Sequence, residues 1–225
     1  MPTLQRDGDV AVLNIGADEN RFSPDWLGAM HACLDELGGM AAPIALVTAA
    51  DGKFWSNGLD LDWLMSHTDQ AEWYIDTVQR LLSRILCLAM PTVAAIQGHC
   101  FAAGGMLAMA HDWRVMRSDR GFFCLPEVDL NLPFPPGMDA LLRAKLTPNT
   151  AVESMTTGRR YGGSDALAAG IVNAAVGEAE VLSTAIDLVR PLASKASANL
   201  GVIKSTMFAD AVAHLSVVHR PQSAT

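Results

Sequence analysis

Short unbroken apolar runs alternate along this chain with longer amphipathic stretches, and the alternation predicts the elements. Asp9 to Ile15 is a strand-length apolar run beside an Asp-Gly pair and before a glycine-containing stretch, which favours a strand. Ser23, Pro24 and Asp25 then supply a hydroxyl cap, a proline where no amide donor is needed, and an acid at the positive end of a helix dipole. That helix is predicted to run to Gly38 and Gly39. Pro43 to Thr48 is continuously apolar, the pattern of a strand covered on both faces. A second unit repeats the order: a helical stretch from about Gln70 to Leu88, then Pro91, then a strand over Thr92 to Gln97. Gly98 to Met109 reads as a turn into a small-residue helix, and Asp112 to Met116 as another strand. Strands alternating with helices predict an α/β fold with a largely parallel core.

The pattern changes at Leu125 to Gly137, where Pro126, Pro133, Pro135 and Pro136 exclude most regular helix or central strand. An ordered loop carrying acids is expected there. Beyond it the chain reads as mainly helical, with starts at Thr147-Pro148 and Ser164-Asp165 and a stop at Gly170 before Ile171 to Val176. No internal repeat or low-complexity linker interrupts the 225 residues, so one domain is expected over 1–225.

Composition narrows the classes. Half of the residues are apolar and 18% are charged, enough to build one large core. A formal net charge of -8 argues against a nucleic-acid partner, because such proteins carry a basic surplus. Charges interrupt the first twenty or so residues before a signal core or membrane span is long enough, which predicts a soluble, cytoplasmic protein with no membrane partner. Cys33, Cys87, Cys100 and Cys124 sit in apolar runs without CxxC spacing, as expected of buried thiols; no metal site is expected.

Two loops and one acid carry the candidate chemistry. Gly52 to Leu61 and Gly98 to Met106 each place small residues directly after a strand-like run. Small residues let a backbone approach a ligand closely, and a helix starting there presents free amide hydrogens. Two converging amides make an oxyanion hole. Tight helix–strand packing is the alternative meaning of each loop alone. Adding the proline-stiffened loop with its acids supplies the outline of a site for proton abstraction next to a carbonyl. Other catalytic patterns are missing: no G-x-S-x-G elbow, P-loop or G-x-G-x-x-G is present. His99 and Cys100 are adjacent on a strand-like segment and point to opposite faces, which excludes a dyad between them. His31, His67 and His111 have neither metal spacing nor an obvious partner and read as core or surface histidines.

These motifs resemble a known family. Phe54 to Leu61 resembles the crotonase signature F-x-[SA]-x-G-x-D-[LI], and Gly98 to Met109 resembles its second signature, G-x-x-x-[AG]-G-G-x-x-L-A. Phe123 to Leu132 is similar to the family's F-x-x-P-E-x-x-x-G-L segment, and Ala166 to Val172 to its A-x-x-x-G-[LI]-V segment. The resemblance spans roughly residues 5 to 205 and is strongest, through His111 to Gly121 and Pro126 to Pro133, to the short plant-like Δ3,Δ2-enoyl-CoA isomerases.

The resemblance implies a fold, a reaction and roles for individual residues. The fold is a spiral of ββα units, with a core to about residue 195 and a short helical C-terminal region and tail from about 196. The amides of Leu59 and Ala103 match the oxyanion-hole donors, flanked by Gly58 and Gly104; Asn57 and Asp60 join the substrate-binding set; Glu127 matches the general base. Many family hydratases carry a second glutamate where this chain has Met106, and without it a water cannot be held between two carboxylates. A Δ3,Δ2-enoyl-CoA isomerase is therefore implied, with an enoyl-CoA hydratase (a lyase) or a non-catalytic acyl-CoA-binding member as alternatives. CoA is part of the acyl-CoA substrate, its adenine near Lys53 to Asp60, and no separate cofactor is implied. A homotrimer or dimer of trimers is expected. Trp63, Met65 and Phe134 read as ordinary core rather than acyl pocket.

Overall fold

The computed structural model of the protein describes residues 1–216. Its centre is a six-stranded sheet. Strands β1 (Thr3–Asp7) and β2 (Val10–Asn14) form an antiparallel hairpin, and β3 (Ala45–Ala49), β5 (Thr92–Ile96), β7 (Trp113–Arg117) and β9 (Ala174–Val176) follow in parallel. Three short strands, β4 (Phe54–Ser56), β6 (His99–Phe101) and β8 (Phe123–Cys124), pair in parallel as a second sheet. Each passage of the chain thus lays one strand in each sheet before a helix returns it, which makes a spiral.

The apolar runs behave as two-sided strands. Ala45, Val47, Val93, Ala95 and Val115 pack on one face under α8 (Val181–Val189), which contributes Val181, Ala185 and Val189. Leu46, Ala94, Ile96 and Met116 face the main core with α1 (Pro24–Gly38) and α3 (Ala71–Leu86). The helix starts behave as the caps dictate: Ser23 accepts from the Trp26 amide at 3.3 Å and Thr147 from Thr150 at 3.2 Å, opening α1 and α6 (Pro148–Thr157). The helix expected from Ser164 begins slightly earlier, as α7 (Gly163–Ala168).

Several elements depart from the sequence expectation. β1 is mostly exposed, so its polar sequence shows no strand alternation; a two-residue turn with Gly8 at φ 58° pairs it to β2. The helix expected from Gly98 is preceded by β6, and its helical part is α4 (Ala103–Ala110). A short helix, α2 (Leu61–Ser66), follows the first loop. Cys100 and Cys124 are buried, whereas Cys33 and Cys87 are only half-buried, and all four thiols are free.

After α5 (Pro136–Lys145), α6 and α7, the C-terminal region is built from α9 (Ala198–Met207) and α10 (Ala209–Leu215), the latter packed on α5 and α3. The polar tail from Arg220 lies outside the described residues. Among the described residues no helix is long and apolar enough to cross a membrane, and no group of three or more His, Cys, Asp or Glu side chains could hold a metal ion.

Candidate active site

Hydrogen bonds around Ser56 and Gly58 shape the first loop and leave the Leu59 amide unengaged. Ser56 Oγ donates to the Asn20 carbonyl at 2.8 Å and accepts from the Gly58 amide at 3.0 Å. The Gly58 carbonyl accepts from Phe22 N at 2.8 Å. With both backbone groups of Gly58 engaged, the Leu59 amide is next along the chain and has no acceptor among the described residues. Asn20 holds this turn from outside: it sits at φ 49° and donates to the Trp55 carbonyl at 3.0 Å. Sequence reasoning missed Asn20, although an asparagine in a polar run directly after a strand is a residue type that enters the left-handed region readily.

The second loop meets the first backbone to backbone. Ala103 opens α4, so its amide has no intrahelical acceptor. A β-carbon on Gly58, which has φ 79°, would lie 2.7 Å from Ala103 N, and one on Gly104 would lie 2.5 Å from the Ser56 carbonyl. Glycine at both positions is what lets the two loops touch. Ala102, just before the helix, is a non-glycine residue at φ 50° and ψ −127°, a sparsely populated conformation that costs about 1–3 kcal/mol. It is tied down at both ends, its amide donating to the Cys124 carbonyl at 3.0 Å and its carbonyl accepting from Met106 N at 3.1 Å.

Glu127 follows β8 in a tight turn closed by Asp129 N to the Pro126 carbonyl at 2.9 Å and Leu132 N to the Glu127 carbonyl at 2.9 Å. Its side chain is buried, and Oε2 has no hydrogen-bond partner among the described residues. Burial raises its pKa from an ordinary 4.5 to about 7, because the charged carboxylate loses water without gaining a cation. Such a group exchanges protons efficiently near neutral pH.

Leu59, Ala103, Asn57 and Glu127 line one cavity of about 520 Å³, whose apolar wall includes Met106 and Met138. The only other carboxylate in its described lining is Asp62, which is 87% exposed and paired with Arg21 at 2.8 Å. Met106 is 2% exposed and places a thioether in the wall. A larger depression of about 790 Å³, lined by Trp73, Arg80, Leu215 and neighbours, contains none of the sequence-predicted site residues.

Not every candidate reaches the cavity. Gly58 and Gly104 are buried where the loops touch. Asp60 is outside the lining because its carboxylate caps α2, accepting from Trp63 N at 3.1 Å, while its amide donates to Tyr74 Oη at 2.8 Å. Trp63 stacks on His67 with ring centroids 4.4 Å apart, Met65 is exposed, and Phe134 packs against the core. His99 lies among the rings of Phe54, Phe101 and Phe122, and Cys100 is buried on the opposite face of β6. His111 is held by the Leu107 carbonyl and Thr48 Oγ1. Apolar lining such as Leu61, Ile75 and Pro133 was invisible from sequence, since such side chains read as core wherever they sit.

A match to the enoyl-CoA hydratase/isomerase family covers residues 8–220. The chain belongs to that family. Within it, the chain is 36% identical over 204 residues to enoyl-CoA delta isomerase 3 of Arabidopsis thaliana, covering 87% of this chain and 86% of that one. The crotonase spiral is shared with the apo enoyl-CoA isomerase of Mycobacterium tuberculosis, at a TM-score of 0.88, 24% identity and coverage of 95% and 93%. It is shared equally with human mitochondrial delta3-delta2-enoyl-CoA isomerase, at a TM-score of 0.85, 23% identity and coverage of 97% and 92%.

Proposed function

We propose that this protein is a Δ3,Δ2-enoyl-CoA isomerase that shuttles one proton on Glu127. The observation that carries the reading is a buried carboxylate without an ion-pair partner, lining the same cavity as the unengaged amides of Leu59 and Ala103, while the other acid in the described lining, Asp62, is exposed and paired with Arg21. The Glu127 carboxylate removes a proton from C2 of a 3-enoyl-CoA, and the electron pair moves into the thioester carbonyl to give a dienolate. The two amides donate to the resulting oxyanion. The Glu127 carboxyl then returns its proton to C4, the double bond becomes C2=C3, and the base is regenerated. Oxyanion donors of this kind contribute about 3 kcal/mol each in other enzymes.

Relatives named as isomerases support this choice over a hydratase, and so does Met106, which puts a buried thioether rather than a second carboxylate in that part of the wall. CoA enters as part of the substrate, its adenine assigned to the Lys53 to Asp60 loop, and no separate cofactor is needed for proton transfer. We further read the molecule as a trimer. Sedimentation as a monomer would remove that part.

The purified protein is to be assayed with 3-enoyl-CoA and 2-enoyl-CoA side by side. Conversion of the 3-enoyl substrate, falling on the order of 10³-fold in Glu127→Gln, is the expected result. Efficient hydration of the 2-enoyl substrate identifies a hydratase instead, and inactivity toward both with retained thioester binding identifies a non-catalytic member.

A further inference from the structure

A second recess, of about 370 Å³, opens between the start of β7, the end of α5 and α9, within the size range of small-molecule sites. Its surface is mostly apolar, formed by Trp113, Leu200 and Phe208 among others, but three of the chain's four lysines reach it: Lys145, Lys195 and Lys204. The sole acid in its described lining, Asp112, is already committed. Asp112 Oδ2 accepts from Lys204 Nζ at 2.6 Å and from Thr92 N at 2.8 Å, so Lys204 is neutralised within the protein.

Lys145 has no such partner. It forms no ion pair among the described residues, and its ammonium stands 4.9 Å from the centroid of the Phe208 ring. Burial, then the nearby Arg114, lowers its pKa to about 8, only partly opposed by the charge of Asp112, because water is lost from the charged form. Lys195, exposed at the rim, adds a second uncompensated charge. The recess therefore combines an apolar floor with an unmatched positive wall.

We propose that this recess binds an amphipathic organic anion, with its carboxylate on Lys145, Lys195 closing from the rim, and a short alkyl chain on Trp113, Leu200 and Phe208. A carboxylate supplies the charge that Asp112 cannot, and the chain buries apolar surface that an inorganic anion would leave wet. The site is separate from the Glu127 cavity and does not depend on the reaction assigned there.

The test uses the full-length protein with its lysines reductively ¹³C-methylated, which keeps their charge. Four lysines give few enough signals to assign one by one. Titration with hexanoate at low ionic strength is expected to shift the Lys145 signal saturably, raise its titration midpoint, and leave Lys53 unmoved. Acetate and inorganic phosphate are expected to bind at least about tenfold more weakly than hexanoate, and hexylamine to leave the Lys145 signal in place. Lys145→Met, which keeps an unbranched apolar stem, is expected to weaken hexanoate by about tenfold or more in calorimetry. A Lys145 signal unmoved by hexanoate, an equal response to hexylamine, or unchanged affinity in Lys145→Met overturns the proposal. Equal affinity for acetate and hexanoate overturns its amphipathic part.

Discussion

Lys204 and Glu127 are buried almost equally, 5% and 7% exposed, in surroundings of opposite character. Lys204 donates to the Met90 carbonyl at 2.7 Å and to Asp112 at 2.6 Å, and Asp112 is fixed in turn by Thr92. There burial still lowers the lysine pKa, but the ion pair and hydrogen bond to Asp112 oppose that shift. Glu127 has an Oε2 without a partner and a pKa raised to about 7. Around it lie the unengaged amides of Leu59 and Ala103, and Ala102 holds a positive φ. Buried polar groups are ordinarily satisfied, so a region where satisfaction is withheld from three groups at once is one kept open for a ligand. The Lys204 knot fastens α9 to the sheet; the Glu127 cavity leaves its donors and base for something else to complete.

The largest effect expected from breaking this contrast is on the amide pair. In Gly58→Ala the new methyl meets Ala103 N at 2.7 Å on a backbone at φ 79°, so the loops must part. A drop in kcat on the order of 10³-fold, or about 4 kcal/mol, with the fold retained by circular dichroism, is expected. Unchanged kcat would show that the two amides do not act together.

On the satisfied side, Lys204→Met removes the cation and leaves Asp112 without it. A loss of about 3 kcal/mol in urea unfolding is expected. A change under 1 kcal/mol, within the range of exposed pairs, would mean that water compensates Asp112 as well as Lys204 does.

The same substitution logic runs the other way at Glu127. Its folded pKa is raised, so the folded state holds the proton more tightly than the unfolded chain between pH 4.5 and about 7. Stability therefore falls as pH rises through that window and levels off above it. Each pH unit is worth about 1.4 kcal/mol, less some screening by water in the cavity, so the carboxylate costs about 2 kcal/mol at pH 8. Glu127→Gln is expected to be more stable than the parent by that amount at pH 8, with the gain shrinking to nothing near pH 4.5. Equal stability of the two proteins at pH 8 would mean that Glu127 is solvated in solution and titrates as an ordinary acid.

Much of this was legible beforehand where a local pattern has a local cause. The caps at Ser23 and Thr147 start helices because their hydroxyls satisfy amides three residues on. Pro43 to Thr48 reads as a strand covered on both faces, and Leu46 and Val47 do pack into opposite cores. The loops around Gly58 and Gly104 were visible as small residues after strands. Strands β4 and β8 were not, because two or three residues carry no periodicity to detect. Asp60 looked like a binding acid in a motif, and only the helix that begins next to it shows its carboxylate to be a cap.

By itself, then, the sequence determined the alternation of elements, the helix starts, the small residues that permit close backbone contact, and the acid placed on a stiff loop. All of these follow from interactions within a few residues. The tertiary structure decided which polar groups are paired and which are left alone. Lys204 finds Asp112 across 92 positions of chain, whereas Glu127 finds no cation at all, and its proton affinity follows from that burial. Desolvation and pairing are properties of the whole packed neighbourhood, assembled from distant segments, and no local stretch of residues encodes them.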